Sequence, residues 1–98
     1  MSGARKASEA PLPGGDFRLF TTRIAFQAMM SLGILENPVT GSRQVNLDSA
    51  RMLIDDLKML REKTRGNLDE GELAQLEKSV RDLEHAYTRL AQQGAHEA

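Results

Sequence analysis

The 98-residue chain contains no cysteine. That excludes a disulfide framework, a thiolate nucleophile and any cysteine-based zinc or iron-sulfur centre, and it suits an intracellular setting. Aromatic residues are also scarce, at 4% of a composition that is 40% apolar, so the core is expected to be mostly aliphatic. Charge of one sign is not in excess. The formal net charge of -1 and a pI near 6.1 create no net pull toward nucleic acid or anionic membranes. Long hydrophobic runs are missing too. The most apolar stretch, residues 24–35, is too short to span a bilayer and is interrupted by Gln27, Ser31 and Gly33. Where a signal peptide would carry its apolar core, the chain has Ser8, Glu9, Pro11, Pro13, Gly14 and Gly15 after Arg5 and Lys6. A soluble, cytoplasmic protein that is not exported is therefore expected.

What the sequence does contain is a strong architectural signal at residues 63–72. Gly66 is suited to the left-handed conformation that closes a helix, and Arg61, Lys63 and Arg65 suit its negative end. Asp69 then caps a new helix, Glu72 stands three residues on to complete a capping box, and Leu68 is placed to staple onto Leu73. One helix stops and another starts within a few residues, which predicts an antiparallel helical hairpin.

Helical periodicity accounts for most of the remaining chain. Asp16 is the expected cap of a first helix, over about 16–35, in which Phe17, Phe20, Ile24, Ala28, Ser31 and Leu35 recur at helical spacing. Leu19, Phe26, Met29, Met30 and Leu32 widen its apolar face beyond one stripe. A loop containing Asn37, Pro38, Gly41 and Ser42 follows. The second helix, about 48–65, is expected to start at Asp48, with Asn46 as the alternative cap and Leu47 stapled to Met52. Its core stripe reads Ala50, Leu53, Ile54, Leu57, Leu60 and Thr64, while Met52 and Met59 form a second, narrower apolar strip. The third helix, about 69–92, presents a heptad seam of coiled-coil type at Leu73, Leu76, Val80, Leu83, Tyr87 and Leu90, with Glu77 and Arg81 as a surface pair. The fold class expected is all-α, three helices with the second and third as the hairpin. The domain spans 16–92 between disordered tails at 1–15 and 93–98.

Ile54-Asp55 and the run Lys63-Thr64-Arg65-Gly66-Asn67-Leu68, with Phe17, the Leu32-Gly33 pair, Ala50, Leu57, Met59-Leu60 and Glu72, resemble a family of short bacterial proteins, a domain-of-unknown-function family. The resemblance covers roughly residues 16–90. It implies a bacterial, soluble, helical protein and supplies no activity, cofactor or catalytic residue.

The residues themselves name no reaction. Asp55 and Asp56 are adjacent, so on a helix they point about 100 degrees apart and do not converge on a cation. Neither His85 nor His96 has a partner at metal-ligand spacing. Ser31, Ser42, Ser49 and Ser79 lack a nucleophile elbow, and neither Gly41-Ser42-Arg43 nor Gly66-Asn67 has phosphate-loop spacing. No enzyme activity, metal or cofactor is expected. A size at which a lone aliphatic core is marginal favours association. The expected function is a non-enzymatic interaction or structural module, completed by homo-oligomerisation. Phe20, Phe26, Met29, Met30, Met52 and Met59 are its candidate interface, and the partner is a second copy or another protein. The alternative is a nucleic-acid-associated protein using Arg61, Lys63 and Arg65, which Glu62 disfavours by diluting the cluster.

Overall fold

In a computed structural model of the protein, residues 14–97 are described, and within them the chain folds as three helices: α1 (Phe17–Ser31), α2 (Leu47–Lys63) and α3 (Glu70–Glu97). The architecture is all-α, as expected. Most of the N-terminal tail expectation, residues 1–13, lies outside the described residues, as does Ala98.

Each helix start has a local cause. Asp16 caps α1, its Oδ1 accepting from the Leu19 N–H at 3.0 Å. Asn46, not Asp48, caps α2, accepting from the Ser49 N–H at 3.0 Å, so Leu47 and Asp48 are already inside the first turn. The chain decides between the two because the Asn46 N–H is held by Ser31 O at 2.7 Å, anchoring that residue in extended geometry at the end of α1. Asp48 then contributes its charge to the positive end of the helix. The capping box of α3 forms reciprocally, with Glu72 N–H on Asp69 Oδ1 at 2.7 Å and Asp69 N–H on Glu72 Oε1 at 3.0 Å. Replacing Asp69→Ala removes one of these bonds and weakens the other. The expected loss is about 0.5–2 kcal/mol of unfolding free energy, measurable by urea titration.

Helix ends are set by glycine where the backbone needs it. Gly66 follows α2 with φ +85 and Gly33 follows α1 with φ +75. Gly33 ends α1 near residue 31 rather than 35, and Leu32 turns back to make an isolated antiparallel bridge with Val45. Ile34 and Leu35 therefore leave the helix and stay exposed. At the other terminus α3 continues to Glu97, past the expected end at 92 and through most of the stretch read as a polar tail. Gly94 keeps a negative φ, so it does not break the helix, and Ala91, Gln92 and Gln93 before it are good helix formers.

Every helix packs on the other two. The core takes Ala25, Ala28 and Leu32 from the α1 side, Ala50, Ile54 and Leu57 from α2, and Leu76, Val80, Leu83 and Ala86 from α3. On α2 and α3 the expected stripes are largely the observed ones; exceptions are Leu73, which is exposed, and Ala86, which is buried. On α1 the inward face is rotated. Thr21, Ala25 and Ala28 face the core, while Phe20 is exposed. Small side chains let helix backbones approach closely, and a phenylalanine in the same row would hold them apart. Buried Thr21 carries a hydroxyl, which is satisfied by Phe17 O at 3.1 Å and Arg18 O at 3.2 Å. A Cβ on Gly71 would meet the tip of the Arg18 side chain, which is exposed and free to swing aside. A side-chain bond, Gln75 Nε2 to Thr22 Oγ1 at 2.7 Å, ties α3 to α1.

Candidate functional site

The methionine strip and Phe20 and Phe26 of α1 stay on the surface. Met52 is 56% exposed, Met59 46%, Phe20 42% and Phe26 50%, values too high for core members. Met30 and Met52 come together, with Leu53, in a groove of about 370 Å³ between α1 and α2 that is closed on its loop side by Asn37 and Thr40. The loop is held there by its own bonds: Asn37 Oδ1 accepts from the Val39 N–H at 2.8 Å, and Asn37 N–H donates to Ser42 O at 2.9 Å. Phe20 lines a separate shallow depression with Phe17 and Arg23. Phe26, six positions from Phe20, lies about 120 degrees around the helix from it. Met29 packs against the core. Of the six interface candidates, then, Met30 and Met52 share a groove.

The basic cluster is placed differently from a free cationic patch. Arg65 Nη2 donates to both oxygens of Glu62, at 2.6 and 2.7 Å, and Arg61 Nε lies 3.9 Å from the same carboxylate. The Arg65 hydrogen bond, with its charge, holds the Glu62 carboxyl below its ordinary value. Arg61 and Arg65 line a groove of about 390 Å³ that Leu68, Leu73 and Glu77 complete. Two carboxylates thus sit among the cations. Lys63 projects from the exposed side of α2. Glu77 is turned to this groove rather than to Arg81, and the surface pair on α3 is instead Lys78 with Asp82, at 2.6 Å.

A third arrangement joins α2 to α3 and was not anticipated from the sequence. Arg51 binds Asp55 at 2.9 Å, reaches Glu84 at 3.4 Å and lies over the Tyr87 ring, 4.9 Å from its centroid. Lys58 completes it, 3.2 Å from Glu84. The signal was available: Arg51 and Glu84 are nearly equidistant along the chain from Gly66, so a short turn brings them opposite each other. Asp55 is occupied by this cluster, whereas Asp56, next to it, is turned to solvent.

Glu84 gives the cluster a pH dependence. The hydrogen bond from Lys58 is the largest cause holding the carboxyl below its ordinary value; burial opposes it, and the charge of Lys58 and the Arg51 contacts each add a smaller lowering. A lowered folded-state value means the stabilisation is complete above the unfolded carboxylate range and is lost as pH falls through the folded value. The side chain is 39% exposed, so solvent screening limits the effect to about 1 kcal/mol or less. Glu84→Gln is expected to be less stable than the parent at pH 7. The gap should close below about pH 4, as read from urea midpoints at each pH.

Among the described residues no group of three or more His, Asp or Glu side chains is placed to hold a metal ion, and no helix is long and apolar enough to cross a membrane. His85 is exposed on α3. Fold and surface together define a small three-helix domain with apolar side chains left outside its core. Residues 15–89 match the family model described as Domain of unknown function (DUF1844), and the chain belongs to that family. No curated protein and no solved structure matches the chain.

Proposed function

We propose that this protein is a non-enzymatic protein–protein interaction or structural module that works as a helical homo-oligomer in the bacterial cytoplasm. The observation that carries the reading is the outward placement of Met52 and Met59, large apolar side chains seven positions apart on one side of a helix whose opposite side is fully buried. Methionine suits such a surface because its unbranched, polarizable side chain adapts to a partner. Size points the same way, since a domain this small buries a limited fraction of its surface alone. The α2–α3 pair acts as an antiparallel hairpin that stiffens the module; its support is the short turn through Gly66 and the contacts of Arg51 with Glu84 and Tyr87. The absence of cysteine agrees with a reducing compartment.

Sedimentation equilibrium across a dilution series tests this reading. The expected mass is a multiple of 10.8 kDa that falls toward one chain only on strong dilution. A single-chain mass at every concentration overturns it. Nucleic-acid association through Arg61, Lys63 and Arg65 is the weaker reading, because Glu62 lies against both arginines. It predicts salt-dependent retention on DNA or RNA, and the interaction reading predicts none.

A further inference from the structure

The outer face of α2 carries a single stripe of exposed residues, Asp48, Met52, Asp56, Met59 and Lys63, spaced by four, four, three and four. At that spacing they lie one above another on the side turned away from Ala50, Ile54 and Leu57. Its order is acidic, apolar, acidic, apolar, basic. Asp48, Asp56 and Lys63 make no salt bridge among the described residues, whereas Asp55 and Glu62 just beside the stripe are engaged by Arg51 and Arg65. The unengaged charges of α2 are thus concentrated on the one strip that also exposes its methionines.

This pattern is self-complementary in only one direction. Laid parallel on a copy of itself, the stripe sets Asp48, Asp56 and Lys63 each against its own like charge. Reversed about an axis between residues 55 and 56, it places Asp48 against Lys63 of the second copy and Met52 against Met59 of the second copy, each twice by symmetry. The helix dipoles then run opposite as well. Like charges remain at the axis, where the same reversal sets Asp56 against Asp55 of the second copy, twice by symmetry; both residues are exposed and free to turn into water, and Asp55 is already paired with Arg51. Met30, beside Met52 in the groove on the α1 side, widens the contact beyond one helix.

We propose that the occupant of this face is a second copy of the chain, docked through α2 against α2 in antiparallel order, with the Met52–Met59 contacts at its apolar centre and the Asp48–Lys63 pairs at its ends. The proposal rests on the homo-oligomer reading and specifies its surface. Charge complementarity distinguishes it from docking of an unrelated partner, which would require no such reversal symmetry in this strip.

The cysteine-free sequence permits a direct test, because introduced cysteines are the only thiols present. Positions 52 and 59 are about 10.5 Å apart along a helix, beyond the roughly 7 Å that a disulfide spans between Cα atoms. In the antiparallel dimer, Met52→Cys mixed with Met59→Cys is expected to give a covalent dimer under mild copper-phenanthroline oxidation, whereas either variant alone gives little. Asp56→Cys alone is expected to cross-link across the axis. Circular dichroism of each variant, all at exposed positions, establishes that it is folded. Efficient cross-linking of Met59→Cys or Met52→Cys alone, or none in the mixture while the parent chain sediments as an oligomer, overturns this interface and leaves oligomerisation standing. A monomeric parent chain overturns both.

Discussion

Leu57→Ala is expected to lower the unfolding free energy by about 2–5 kcal/mol, from the lost burial of the side chain plus the cavity it leaves. Leu57 is fully buried in the middle of α2, in the cluster that joins Ala28 and Leu32 to Leu76, Val80 and Leu83. With all three helices contributing to that cluster, the cavity is lined from several directions and the helix cannot simply slide to close it. A small domain has about 5–15 kcal/mol in total, so the change removes a large share. The corresponding fall in melting temperature is roughly 4–8 °C for each kcal/mol. Met59→Ala, two residues along the same helix, is the control. It is 46% exposed, and its effect on the unfolding of the monomer is expected to stay within about 0.5 kcal/mol. Urea titration followed by circular dichroism, at concentrations dilute enough to hold the single chain, separates the two. Equal losses would mean that α2 does not present the face assigned to it.

The second large effect concerns the end of α1. Gly33 has φ +75, a region in which a side chain costs about 1–2 kcal/mol, and a Cβ there would stand 2.9 Å from Val45 Cγ2. Both effects act against Gly33→Ala, so a loss of about 1–3 kcal/mol is expected. The two parts are separable. Val45 is mostly exposed, so Val45→Ala alone should change little, and in the double variant it removes the clash but not the backbone strain. A double-mutant cycle is therefore expected to show Gly33→Ala costing less in the Val45→Ala background, by about 0.5–1 kcal/mol. Strict additivity would argue that the Val45 side chain, carried by the Leu32–Val45 bridge, is not the contact that excludes a side chain at position 33. That bridge matters to the candidate surface, because it fixes the loop that closes the groove around Met30 and Met52.

The turn between α2 and α3 was legible because its interactions are local. Gly66, Asp69 and Glu72 act on backbone groups within three or four positions, so their identities alone specify the geometry they adopt. The core stripes of α2 and α3 were nearly as plain, since each helix has one apolar side and a charged remainder. On α1 the same reasoning misdirects. Its apolar residues run almost all round, so periodicity does not distinguish Phe20 from Thr21, and the preference for Ala25 and Ala28 inside depends on how closely two other helices approach. The cap of α2 likewise depended on a distant contact, the bond from Asn46 to Ser31.

The candidate site follows the same division. Met52 and Met59 stood out as a strip from spacing alone, and they are exposed. That Met30 is the α1 residue sharing a groove with Met52, and that Met29 beside it packs on the core, depended on the rotation of α1. Charge partners depended on the packing of α2 against α3: Glu84 draws Arg51 and Lys58 from another helix, and Glu77 faces the Arg61–Arg65 groove rather than Arg81. The sequence by itself determined three helices, the turn that joins the last two and the methionine strip, because hydrogen-bonded caps and the 3.6-residue repeat act over a few positions. Only the tertiary structure decided which side of α1 is buried, where α3 ends and that Glu84 meets Arg51 and Lys58, because burial and ion pairing between helices depend on the position of groups far away along the chain.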